Sequence, residues 1–164
     1  MSIFDLNINL IEGLLYSIFI AKIFRTQFKN SYKIILIFTF LLCLNISLYN
    51  YFSLSEIYYT LSMQVILFLM SEILNPQQNI SNLFISMLVD TFSLFSNTLT
   101  IMMNQVFFNN SLSYVILVIV SKIIFLLFVL FIPQYLNKFI QSQNIKNRSF
   151  HIALLSLLIL YTLI

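Results

Sequence analysis

The sequence predicts an all-α, polytopic transmembrane helix bundle of about six helices, in one domain that covers residues 1–164. Two observations predict this fold class. Hydrophobic residues make up 60% of the chain and charged residues only 8%, whereas an ordinary soluble domain has about 25% charged residues. The apolar residues also form six long runs separated by short polar breaks, and a helix needs about 20 such residues to cross a bilayer.

The first four predicted helices are the apolar runs near residues 4–24, 34–52, 57–74 and 80–101. The first run contains Asp5 and Glu12 and has neither a basic leader nor a small-residue cleavage site, so we expect a retained helix and not a cleaved signal peptide. The second run contains Cys43, the one cysteine of the chain, so no disulfide framework is expected.

The last two predicted helices are the runs near residues 113–132 and 150–164. Pro133 directly follows the fifth run, and we expect it to end that helix because proline has no N–H and clashes with the preceding turn. The sixth run stops at Ile164 without a polar flank, which fits either a natural end in the headgroup layer or a chain that is cut short. With a single glycine, GxxxG crossings are excluded as the organising principle.

Positive charge predicts the orientation of the helices. Basic residues cluster in the break after the first run and in the break before the last, which places both breaks inside by the positive-inside bias. The breaks at 53–56 and 103–112 contain no Lys or Arg, as expected for outside loops. We therefore expect the N-terminus outside, in a multi-pass protein of the cell membrane.

Three ionisable residues, Glu12, Asp90 and Lys122, lie near the middles of three predicted helices. An Asp or Lys at a helix centre costs roughly 2.5–3.5 kcal/mol on insertion, so such residues are candidates for ligand binding or for relaying a signal. The fourth run adds a stripe of polar residues that share one face at about 100° per residue. This polar stripe consists of Asn82, Ser86, Asp90, Ser93, Asn97, Thr100 and Asn104.

The polar stripe has to face other helices or a hydrated cavity, because lipid cannot satisfy its hydrogen-bonding groups. The first and third runs have similar polar faces, formed by Asp5, Asn9, Glu12 and Tyr16 and by Glu56, Thr60, Gln64 and Ser71. Lys122 lies at nearly the depth of Asp90, so we expect these two residues to be near neighbours. The pair could be a structural contact that fixes helix register, or part of a ligand-responsive site.

Several kinds of chemistry are absent from the sequence. With one glycine the chain has no phosphate-binding loop or dinucleotide motif, and it has no HExxH or CxxC metal or redox motif. We therefore expect no cofactor, no metal site and no catalytic residue, and the basic clusters suggest orientation in the membrane and not a nucleic-acid surface. The sequence leaves open whether the chain has an enzymatic role.

Three segments resemble the membrane sensor region of GHKL-type histidine kinases of Gram-positive bacteria, a group that includes peptide-pheromone receptors. The three segments are INLIEGLLYSIFIAKIF, NPQQNIS and ILVIVSKIIFLLFVLFI. A basic loop follows the first, the second is the short turn after the third helix, and another basic segment follows the third. The resemblance implies a helical sensor that binds an extracellular signal, often a peptide, and passes a conformational change to a dimeric kinase module. The sequence lacks the phosphoacceptor and ATP-site motifs of that module.

The leading hypothesis is therefore a signal-sensing membrane domain whose loops at 51–58 and 103–114 contact a peptide or small molecule, and which could form a homodimer. A second hypothesis is a small membrane transporter or substrate-binding subunit with a polar site at the midplane around Asp90 and Lys122. Such sites usually use helices broken by Gly or Pro, and these runs are unbroken. A third is an accessory subunit of a respiratory membrane complex.

Overall fold

The computed structural model describes residues 3–24, 28–53, 55–76, 79–108 and 112–142. In these residues the chain forms five α-helices: α1 (Ile3–Ile23), α2 (Phe28–Phe52), α3 (Glu56–Leu74), α4 (Asn79–Phe108) and α5 (Tyr114–Ser142). Each of the five is long and apolar enough to cross a membrane. The prediction of an all-helical, multi-pass membrane protein is confirmed at this level.

The helix boundaries differ from the predicted ones in α4, in α5 and at the start of α2, which begins at Phe28 and not near residue 34. The fourth helix continues to Phe108, so much of the predicted loop at 103–112 is helical. The fifth helix does not end at Pro133 but continues to Ser142. The predicted sixth helix at 150–164 lies outside the described residues, and the outside position of the N-terminus remains a prediction.

The helices run up and down, and α1 lies at the centre of the described bundle. Every other described helix contacts α1, and ten of the 21 residues of α1 are buried. We call the end where α1, α3 and α5 begin the upper end, and the end where α2 and α4 begin the lower end. Hydrogen bonds at both ends fit this arrangement: Asn9 of α1 meets Ser47 of α2 near the upper end, and Glu72 of α3 meets Asn82 of α4 near the lower end.

The single glycine, Gly13, lies where α1 crosses α2 most closely. A β-carbon built at Gly13 would lie 2.8 Å from the backbone oxygen of Thr39 and 3.2 Å from the backbone nitrogen of Cys43. Both neighbours are backbone atoms, which cannot rotate away as a side chain can. The chain therefore uses its one glycine for a close helix crossing, although it has no GxxxG repeat.

The apolar core surrounds α1 and includes residues of all five described helices. Phe19 and Ile20 of α1 are fully buried in it. The ring centroid of Phe125 lies 5.2 Å from that of Tyr16 and 6.1 Å from that of Phe19, both in edge-on arrangements. Large apolar side chains on the outer faces of the helices stay exposed in the bundle, as expected where lipid covers them.

Candidate ligand-binding cavity and polar core

A cavity of about 430 Å³ lies in the upper half of the bundle and is partly open. All five described helices contribute to its lining. Its size falls within the range of roughly 300–1,000 Å³ that is usual for small-molecule sites. Aliphatic side chains such as Ile46 and Leu117 alternate on its walls with polar ones, which are Asn9, Glu12, Tyr49, Asn50, Tyr59, Asn97, Thr100, Tyr114, Ser121 and Lys122.

An ion pair between Glu12 and Lys122 forms part of the cavity lining. The Lys122 Nζ lies 2.8 Å from Glu12 Oε2, and both side chains are only 11% exposed. The other carboxylate oxygen of Glu12 accepts a hydrogen bond of 3.3 Å from the Ser93 hydroxyl. Glu12 therefore joins α1 to α5 through charge and to α4 through a hydrogen bond.

Asp90 is the centre of a second polar layer, which lies farther from the upper end. Tyr16 donates its hydroxyl hydrogen to Asp90 Oδ1 over 3.1 Å, and the Gln64 amide donates to Asp90 Oδ2 over 2.9 Å. Asp90 itself is 4% exposed. This layer connects α1, α3 and α4, and the aromatic cluster around Phe125 packs directly against it.

Lys122 has Glu12 as its partner in the structure, and the expectation that Lys122 and Asp90 are near neighbours stays a prediction. Side chains on a helix lean toward the start of that helix. Glu12 and Lys122 belong to α1 and α5, which both begin at the upper end, so they lean the same way and meet.

The polar stripe of α4 faces the interior, but its members have different surroundings. Ser86, Ser93, Thr100 and Asn104 are buried, and Asn97 is half-buried in the cavity wall. The Ser86 hydroxyl donates to the Leu83 carbonyl of its own helix. The stripe is thus an inward face, and a ligand-binding or relay role for its members remains a prediction.

Asn82, at the lower end of the same stripe, is part of the α3–α4 turn. Its amide nitrogen donates to Glu72 Oε1 and to the Asn75 backbone oxygen, each over 2.7 Å. The side chain of Asn75 in turn donates to Asn82 Oδ1 over 3.4 Å. These contacts give Asn82 a structural role at the turn, at the opposite end of α4 from the cavity.

Sequence reasoning did not select several residues that line the cavity. Asn50, Tyr49 and Tyr59 meet there because the end of α2 packs beside the beginning of α3, and the Tyr49 and Tyr59 ring centroids lie 4.5 Å apart. The outer loops at 51–58 and 103–114, which were predicted to touch a ligand, contribute little to the lining. Tyr114 is the residue of these loops that lines the cavity among the described residues. The aromatic side chains near the predicted outer interface were the available signal for these residues.

The described residues contain no group of three or more His, Cys, Asp or Glu side chains that could hold a metal ion. Cys43 is buried and free, and it lies on the α1–α2 crossing, away from the polar layers. The chemistry of the described interior therefore consists of hydrogen bonding, ion pairing and shape.

Comparison with family models, with curated proteins and with solved structures finds no match to this chain. The resemblance to the sensor region of histidine kinases therefore depends on its sequence segments alone.

Proposed function

We propose that this protein is an integral membrane domain that senses an extracellular signal, and that the signal binds in the upper cavity. The single observation that supports this proposal is the position of the Glu12–Lys122 ion pair in the wall of a partly open cavity. A bound molecule that contacts either charge changes the contact between α1 and α5. Because α1 contacts every other described helix, a shift of α1 affects the whole bundle.

The cavity walls suit an amide-containing, partly apolar ligand such as a short peptide or a peptide-like small molecule. The carboxamides of Asn9, Asn50 and Asn97 can each donate and accept hydrogen bonds, as peptide groups require. Ile46 and Leu117 provide apolar contacts between them. The charge distribution of the sequence predicts that the upper end, and with it the cavity, faces the outside of a cell membrane.

The sequence resemblance adds a signalling context to the proposal. In the sensor regions that this chain resembles, ligand binding alters a homodimer and a cytoplasmic histidine kinase module of a two-component, quorum-sensing system. We infer that this chain could likewise act as a dimer and pass its helix shift to a separate or adjoining module. Within the described residues the helices supply no kinase chemistry of their own.

A small transporter is the second candidate, and the Asp90 layer is the observation that favours it. This layer continues the polar interior beyond the ion pair, with hydrogen bonds from Tyr16 and Gln64. The aromatic residues Phe19 and Phe125 pack on the far side of the layer. Transport would require this aromatic contact to open, whereas sensing would not.

The test is ligand binding to the full chain in lipid nanodiscs, with fractionated peptides secreted by its host as the probe. The variant Val118→Phe fills the cavity and should abolish saturable binding. The matched control Leu127→Phe lies on the exposed face of the same helix and should bind as the native protein does. Equal binding by both variants would count against the cavity, and no saturable binding by the native chain would count against the sensor. Uptake of the same probe into proteoliposomes would favour the transporter.

A further inference from the structure

Helix α5 passes through Pro133 without ending, although proline removes one backbone hydrogen bond from a helix. In an α-helix the N–H of residue 133 would donate to the carbonyl oxygen of residue 129. Val129 is therefore left with a carbonyl oxygen that its own helix does not satisfy in the usual way. This residue is 1% exposed, so the position is shielded by the surrounding helices and water is a poor substitute there.

Lys22 supplies a donor to this carbonyl from another helix. Its Nζ lies 3.5 Å from the Val129 oxygen, a long hydrogen bond that joins the last turn of α1 to the turn of α5 before Pro133. A lysine at the end of a membrane helix ordinarily extends its ammonium group toward the headgroups. The Lys22 side chain is exposed like that of Lys33, but its ammonium group lies within hydrogen-bond distance of the α5 carbonyl whose usual donor is missing because of proline.

We propose that Lys22 is the substitute donor that keeps α5 continuous through Pro133 and attaches its last turns to α1. The two helices are then joined at two levels by lysines that reach in opposite directions, from α5 to Glu12 and from α1 to Val129. Lys22 is a positioning residue that acts through the backbone of α5. That the lower contact responds to a ligand bound at the upper one rests on the proposed function, but the donor role does not.

A double-mutant cycle tests the donor role in the full chain. Pro133→Ala restores the backbone N–H, and Lys22→Met removes the ammonium group but keeps most of the stem. In reversible unfolding by SDS in mixed micelles, Lys22→Met should lower the folding equilibrium constant about three- to tenfold, as expected for a long hydrogen bond from a charged group. In the Pro133→Ala background the same change should have little effect, because the restored backbone N–H at position 133 then satisfies the Val129 carbonyl.

Two controls separate this role from a general effect of lysine. Lys33→Met removes an exposed lysine near the same lower end and should have a small effect in both backgrounds. Lys22→Arg keeps a cationic donor and should restore most of the native stability. An equal loss from Lys22→Met in both backgrounds, or an equal loss from Lys33→Met, would overturn the proposal.

A distance measurement keeps the proposal testable if Pro133→Ala does not fold. Spin labels at Ile123 and Tyr135, both exposed side chains on either side of Pro133, report the bend of α5 in a Cys43→Ala background. Lys22→Met should change the distance distribution and Lys33→Met should not, and no change in either variant would overturn the proposal. These measurements need no ligand, so their failure would leave the cavity proposal intact, and a failed binding assay would leave the donor role intact.

Discussion

At the scale of single residues, two charges determine the chemistry of the cavity. Glu12 and Lys122 are each only 11% exposed in their side chains, and each has the other as a partner at 2.8 Å. Breaking a buried pair by removing one partner is strongly destabilising, because it leaves an uncompensated charge in a medium of low polarity. The partial opening of the cavity weakens this effect, since water that enters the cavity screens the remaining charge.

Substitutions of the ion pair should therefore couple. We expect Glu12→Gln and Lys122→Met to lower the free energy of unfolding by about 1–3 kcal/mol each, less than for a fully enclosed pair. The double variant should lose clearly less than the sum of the two. The measurement is reversible unfolding in mixed micelles. The same cycle with Asp90→Asn and Lys122→Met is the comparison, and a coupling as large as that of Glu12 with Lys122 would contradict the assignment.

Gly13 gives a second prediction at the residue scale. Gly13→Ala should lower the free energy of unfolding by about 1–2 kcal/mol, because its β-carbon would lie 2.8 Å from the Thr39 backbone oxygen. The better helix propensity of alanine offsets only about 0.5–1 kcal/mol of the strain. Ile11→Ala, on an exposed face of the same helix, is the control for a change in apolar surface. Native stability of Gly13→Ala would show that the two helices separate there without cost.

At the scale of helices, the direction of each helix decides which polar groups meet. Helices α1 and α5 begin at the same end, so Glu12 and Lys122 lean in the same direction and meet at one level. The turn between α3 and α4 is fixed in a different way, by Asn82 bonding across it. A fully buried amide is well suited to this role because it can donate twice and accept once in the same small space.

The α3–α4 turn can be tested by Asn82→Ala. This change removes the donor of two hydrogen bonds of 2.7 Å, to Glu72 and to the Asn75 backbone oxygen. We expect the free energy of unfolding to fall by about 1–3 kcal/mol, since two partly buried acceptors lose their donor. Thr98→Ala on the same helix, whose exposed hydroxyl bonds only to its own helix, should change stability by a few tenths of that amount. Equal effects of both changes would contradict the role of Asn82.

At the scale of the whole molecule, the orientation in the membrane connects the cavity to its proposed function. The upper end, where α1 begins, contains the cavity, and Lys22 and Lys33 lie toward the lower end. The positive-inside bias predicts that the lower end faces the cytoplasm. A cavity that opens to the outside would fit a receptor for an extracellular signal.

Cysteine labelling of whole cells tests this orientation in a Cys43→Ala background. Ser55→Cys lies at the upper end and Pro76→Cys at the lower end, and both positions are exposed. A membrane-impermeant maleimide should label the Ser55→Cys variant in intact cells and the Pro76→Cys variant only after the cells are opened. The reverse labelling pattern would place the cavity on the cytoplasmic side of the membrane and would contradict the proposal of an extracellular ligand.

Apolar run length and helical period were enough to predict a helical membrane protein and the faces of its helices that turn inward. Apolar runs of about 20 residues can satisfy their backbone only as helices in lipid, and the inward position of polar stripes follows from the helical period. The ends of the first four helices were accordingly predicted to within one residue, except the start of α2 at Phe28 and the end of α4 at Phe108.

The partners of the inward-facing groups could not be predicted from the sequence, because they depend on how the helices pack together. The pairing of Lys122 with Glu12, the cavity walls from Asn50 and Tyr59, and the passage of α5 through Pro133 all depend on contacts between helices distant in sequence. Helical periodicity gives the angle of a side chain about the helix axis. It does not give the neighbouring helix that the side chain contacts or the direction of that helix. Pro133 shows the same limit, because the Lys22 donor that satisfies the freed carbonyl belongs to another helix.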